Sequence, residues 1–224
     1  MSTIIDHNYP IFVRKREKWA NNPVKKPNLY NGGYYYSIEI VDNIIPLVKT
    51  DRNWMTVDVK PVTIDHCIAF VHNNVHIEWY EKWKGKDVIL VCGMPETVER
   101  VKNFGKALYL PLSVDVDYVK QFETEKTKEI CFVGRKEKLR DIPNNVDILT
   151  GMPREDLLKE VAKYKKAYAV DRCAIEAKIL GCEILPYDYN YGVVHDPSFW
   201  KVFDNKDAAK MLQEMIDKID GTRE

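Results

Sequence analysis

An excess of charge of either sign is missing from this 224-residue chain, in which 34 Lys and Arg balance 34 Asp and Glu. Without a basic field, no general attraction to nucleic acid or to an anionic membrane follows, although a local basic patch is still allowed. Long apolar runs are missing too; none approaches the roughly 18 residues that a membrane-crossing helix needs. The N-terminal MSTIIDHNYP has neither the basic stretch nor the apolar core of a secretory leader. Paired cysteine motifs are also absent. The five Cys, at 67, 92, 131, 173 and 182, form no CxxC and no Cys/His ligand spacing, and most stand in apolar runs such as HCIAFV and EICFVG. There Cys serves as a small buried hydrophobe, so neither a disulfide framework nor a zinc site is expected. A reducing cytoplasm is the expected setting.

What is present is an ordinary globular composition, 45% hydrophobic and 30% charged, enough for a real core. Short apolar runs alternate with helical patterns, which predicts an α/β fold with parallel sheets. Strands are expected at 10–15, 54–60, 66–71, 87–93 and 106–112, with 19–33 as loop. Helices are expected at 37–49, where Pro46 bends or ends the pattern, at 75–83, and at 95–105 between Pro95 and Gly105. The series then restarts. A short helix and a charged connection fill 113–129, followed by strands at 129–135, 145–151, 166–170 and 182–188. Helices are expected at 154–164, between Asp171 and Gly181 and, amphipathic, at 205–219. The reading is two small Rossmann-like units, 1–112 and 113–224, facing a cleft that is the default ligand site.

Several residues at strand ends could carry chemistry. Gly134 and Arg135 directly follow a buried strand, with Lys136 and Lys138 close behind. Glycine permits close approach of a ligand there, and Arg and Lys neutralise phosphate; a solvated basic turn is the plainer alternative. In AVDRCAIEAKILG, Asp171 suits a helix N-cap and Gly181 the position just past its end. Arg172 and Glu176 share a face one turn apart. They are either a surface ion pair of small consequence or a pair presented to a ligand, an anion at the helix N-terminus and vicinal hydroxyls at Glu176. His72, Asn73 and Asn74 follow the buried strand of the first unit, as a general base and acceptor-binding amides or as a structural loop. Lysines such as Lys25 and Lys26 and the run RKREK could track a phosphate backbone or simply be solvated.

These segments together resemble a known family. FVGR with a following Lys, then MPREDLLKEVAKYKKAYAV, then DRCAIEAKILGCEIL, is similar to an abbreviated C-terminal domain of GT-B glycosyltransferases, and LYLPLSVDVDYV resembles their passage between domains. The likeness covers about residues 106–188. It implies a nucleotide-sugar donor whose diphosphate meets Gly134, Arg135 and Lys138 and whose ribose meets Glu176 beside Arg172. NGGYYYS resembles the Gly-Gly loop of the N-terminal domain, which would put Gly32 and Gly33 on the acceptor side. The acceptor itself is unidentified, a DNA base among the candidates.

The chain departs from the pattern in places. Tyr168 stands where many retaining members carry an acid, Asp171 where many have Gly, and the second unit is short. Asp115-Val-Asp117 matches the D-x-D of GT-A enzymes, which hold a metal, but Asp115 better suits a helix cap, so no metal is expected. The expected activity is metal-independent glycosyl transfer. The alternatives are a catalytically silent nucleotide-binding or scaffold protein of that fold, and a nucleotide-binding α/β protein unrelated to sugar transfer.

Overall fold

The computed structural model describes residues 4–6, 36, 39–57, 65–71, 77–135, 142–187 and 196–221. The chain divides into two compact units, Ser113–Asn205 forming one. The other joins the described residues up to Leu112 with the C-terminal helix from Lys206. The chain changes unit at residue 113, and the last helix groups with the first unit.

In the first unit five strands lie side by side in chain order, all parallel: β1 (Ile4–Asp6), β2 (Asn53–Val57), β3 (Cys67–Val71), β4 (Val88–Cys92) and β5 (Lys106–Tyr109). Every residue of β3 and β4 is buried. A parallel strand covered on both faces needs an apolar side chain at each position, which is why HCIAFV and DVILVCG are continuous rather than alternating runs. Cys67, Ala69 and Val71 share a face with Val88, Leu90 and Cys92, and Tyr80, Trp83 and Val101 pack on it. Tyr80 and Trp83 come from a 3-10 helix (Ile77–Trp83), and Val101 from α1 (Pro95–Val101), whose first turn holds Pro. On the opposite face Trp54 stacks on Phe70 at 6.1 Å between centroids. The IVDNIIPL segment forms a π-turn (Ile40–Ile44) running into a 3-10 turn (Ile45–Leu47). Pro46, with no N–H to donate, sits where the helix stops and Val48 turns extended. The strand expected at 10–15 lies outside the described residues. β1 was not expected, since three residues carry no readable period.

The second sheet also runs parallel, in the order β7-β6-β8-β9. Its strands are β6 (Lys128–Val133), β7 (Asp147–Leu149), β8 (Tyr164–Tyr168) and β9 (Glu183–Leu185). The helices are α2 (Val116–Lys120), α3 (Arg154–Val161) and α4 (Asp171–Ile179). Asp115 caps α2 by accepting from the Tyr118 N–H at 2.9 Å, so the D-x-D carboxylate has a structural task. Gly181, at φ +82°, closes α4: the Cys182 N–H donates to the Ala177 carbonyl and the Gly181 N–H to that of Lys178. Asp171 is not the cap. The Val170 carbonyl accepts the bond from the Ala174 N–H, which makes Val170 the N-cap, and Asp171 is the first helical residue at φ +54°.

Helix α5 (Asn205–Asp220) begins at the return to the first unit. Where the chain leaves and re-enters, the Ser113 hydroxyl donates to Asn205 Oδ1 at 2.8 Å and the Val114 N–H to the Phe203 carbonyl. Further along α5, Gln213 Nε2 donates to the Lys49 carbonyl at 3.1 Å, and Asp220 meets Arg52. Arg52 is fully buried, with Nη2 and Nε 2.6 and 3.2 Å from the two oxygens of Asp220 and Nη1 3.2 Å from Asp87. Burial works against this charge, and the bonds to Asp220 and Asp87 more than offset it, holding the pKa above the ordinary arginine value. Among the described residues no helix is long and apolar enough to cross a membrane. Cys67, Cys92, Cys131 and Cys182 are buried, as their apolar settings predict.

Candidate functional site

The second sheet has its change of direction at β6. The chain leaves β6 for β7 on one side, then crosses to β8 on the other. At such a switch point the loops after the two central strands diverge, leaving an opening at their carboxyl ends where ligands of open α/β sheets bind. The loop after β6 begins with Gly134 and Arg135, and the loop after β8 leads into Asp171 and Arg172. Phe132 pairs with Tyr168, so the two loops leave neighbouring strands at the same level. The residues expected to meet a diphosphate and the helix expected to meet a ribose therefore flank one switch point.

Locally, Gly134 donates its N–H to the Leu149 carbonyl at 3.4 Å, and a β-carbon there would stand 3.1 Å from the Phe132 ring. The ring leaves little room for a side chain, while Arg135 is exposed. The Tyr187 ring after β9 stands edge-on to Phe132 at 5.6 Å and to Tyr168 at 6.1 Å. Tyr168 thus contributes to an aromatic group at the strand ends. Asp171 in the left-handed region is a backbone choice that glycine makes without cost and Asp more readily than most.

Arg172 and Glu176 do bond, Nε to Oε1 at 2.9 Å, but not as a surface pair: each side chain is only 9% exposed. Burial follows from the packing of α4 on α3 and α2, which leaves Ala174, Ala177 and Leu180 with no exposed surface. A third member comes from α3. Arg154 Nη2 donates to the same Oε1 at 2.8 Å, and its guanidinium lies 5.2 Å from the centre of the Tyr118 ring. One carboxylate is thus held by two arginines. At the other ends of the same helices the Lys126 ammonium donates to the carbonyls of Ala162 and Leu180, the C-caps of α3 and α4. A cation there complements the negative helix ends. The two helices are therefore bound together near both ends.

Arg154 was not among the expected site residues. Its one sequence signal is its place as the first residue of a helix, where a cation opposes the dipole and calls for an anionic partner. Of the other expected residues, Gly32, Gly33, His72, Asn73, Asn74 and Lys138 lie outside the described residues.

No family model matches the chain, and no solved structure matches it. Over 104 residues it is 29% identical to the carbamoyl phosphate synthase large chain of Lachnoclostridium phytofermentans. That stretch is 46% of this chain, which spans only 10% of the length of that relative.

Proposed function

We propose that the second unit binds a nucleotide-sugar and that the chain is a glycosyltransferase of the GT-B type acting without a metal. The observation that carries this reading is the placement of Gly134–Arg135 and Asp171–Arg172 at the ends of neighbouring strands, β6 and β8, where the strand order reverses. Arg135, with Lys138, takes the diphosphate. The α4 N-terminus adds backbone N–H groups and its positive dipole end, and Glu176 accepts from the ribose hydroxyls. Leaving-group charge is stabilised by fixed cations rather than by proton transfer to the phosphate. The acceptor falls to the first unit, with His72 as general base and Gly32, Gly33, Asn73 and Asn74 as binding groups. Its identity is open, with nucleic acid as one class, and the working compartment is the cytoplasm.

A second reading, a nucleotide-binding protein without turnover, draws on Tyr168, which packs near Tyr187 where an acid would be needed. Donor hydrolysis separates the two. Incubation with UDP-glucose, GDP-mannose and ADP-glucose in turn releases free nucleotide from one of them if the transferase reading holds, and the His72→Ala variant slows that release. Binding of a donor with no release from any of the three supports the silent binder instead.

A further inference from the structure

Glu176 is the residue on which the ribose contact depends, and its carboxylate is not symmetric. The Arg154 Nη2 and Arg172 Nε bonds both end on Oε1, leaving Oε2 outside both. We propose that Arg154 is a positioning residue, pinning Oε1 so that Oε2 is the atom offered to the ribose 2′-hydroxyl, and that it thereby makes the site prefer ribonucleotides over 2′-deoxyribonucleotides. The inference rests on the nucleotide-sugar reading and adds to it a residue and a selectivity.

Three features favour this role over simple stabilisation. Arg154 starts α3, where the helix dipole disfavours a cation, so the helix gains nothing from its charge. Buried ionic triads are often replaced by apolar side chains at no loss of stability, so burying three charges between α3 and α4 is poorly explained by packing alone. The arginine fork is also fixed in direction: the guanidinium rests on the Tyr118 ring while Nη2 reaches Glu176, which sets the carboxylate more firmly than a lysine would. Arg172 by itself, on the same helix as Glu176, moves with it and cannot fix it against the neighbouring element.

The test is isothermal titration of UDP, GDP and ADP, each against its 2′-deoxy counterpart, into wild-type protein and the Arg154→Met, Arg154→Lys and Glu176→Gln variants. Wild type is expected to bind the ribonucleotide about tenfold or more tighter than the deoxy form, the worth of one hydrogen bond to a charged acceptor. In Arg154→Met the ratio falls toward one while affinity for the deoxy nucleotide holds, and Arg154→Lys restores part of the ratio. In the Glu176→Gln background, changing Arg154 no longer alters the ratio, because the residue acts through Glu176. If Arg154→Met fails to fold, Arg154→Lys and Arg154→Gln carry the comparison. A ratio unchanged in the Arg154 variants, or both nucleotides weakened by one factor, overturns the positioning role and leaves the nucleotide site standing. Wild type that binds none of the three diphosphates removes that site and this inference together.

Discussion

Arg154 and Glu176, twenty-two positions apart in sequence, meet at 2.8 Å between the first residue of one helix and the second turn of the next, each side chain about nine-tenths buried. This changes how Glu176 should be tested. Glu176→Ala leaves two buried guanidinium groups without their shared anion, so about 3–5 kcal/mol of stability is expected to go, whatever the residue does for a ligand. Glu176→Gln keeps the shape and an acceptor oxygen and should cost clearly less. Urea unfolding of both variants checks the order; equal stability of Glu176→Ala and wild type would show the triad to be idle.

The Arg52–Asp220 contact joins residues 168 positions apart and ties α5 to the start of β2. Arg52→Met keeps the bulk and removes the charge, and its partners Asp87 and Asp220 are 30% and 34% exposed, open enough to recover water. The expected loss is therefore at the lower end for a broken buried pair, about 3 kcal/mol. Hydrogen exchange is expected to rise first in the last turns of α5. Uniform change across the first sheet with α5 unaffected would contradict the tie.

His66 stands beside this group, with φ +51°, Nδ1 2.8 Å from Asp87 and Nε2 3.1 Å from Asp51. The hydrogen bond to Asp87 raises its pKa, burial and the charge of Arg52 oppose that rise, and the bond to Asp51 adds to it, leaving the pKa above the ordinary histidine value. Asp65, which accepts from the His66 and Asp87 N–H groups, and Lys86, 4.0 Å from Asp65, complete the charged surroundings. A raised folded-state pKa means that the contribution is fully present below about pH 6.5, the unfolded value, and is lost as pH rises through the folded value. His66→Asn, which tolerates the same backbone, should therefore cost more stability at about pH 5.5 than at about pH 8.5. A difference from wild type that stays constant over that range would contradict the assignment.

The legible part of this structure is the part whose pattern is local. HCIAFV and DVILVCG announce buried parallel strands because such strands need apolar residues at every position, and Asp115 and Gly181 mark helix ends because capping chemistry is confined to a few adjacent residues. Asp171 looked like a cap by the same logic, but the cap fell one residue earlier, where Val170 supplies only its backbone. Partners distant in sequence were not legible. The amphipathic pattern of 205–219 says that α5 packs, not that it packs with the first unit; Arg52 and Asp220 decide that. The Arg172–Glu176 pair was readable from its spacing, its burial was not, and Arg154 enters only when α3 and α4 lie side by side.

Amide shift mapping on isotope-labelled protein tests the nucleotide site most directly, with UDP-glucose, GDP-mannose and ADP-glucose added in turn. The account predicts that one donor moves the resonances of Gly134, Arg135, Asp171 and Arg172 together, at the ends of β6 and β8, and leaves the opposite end of the second sheet still. Shifts confined to other segments, or none with any of the three donors, would contradict it.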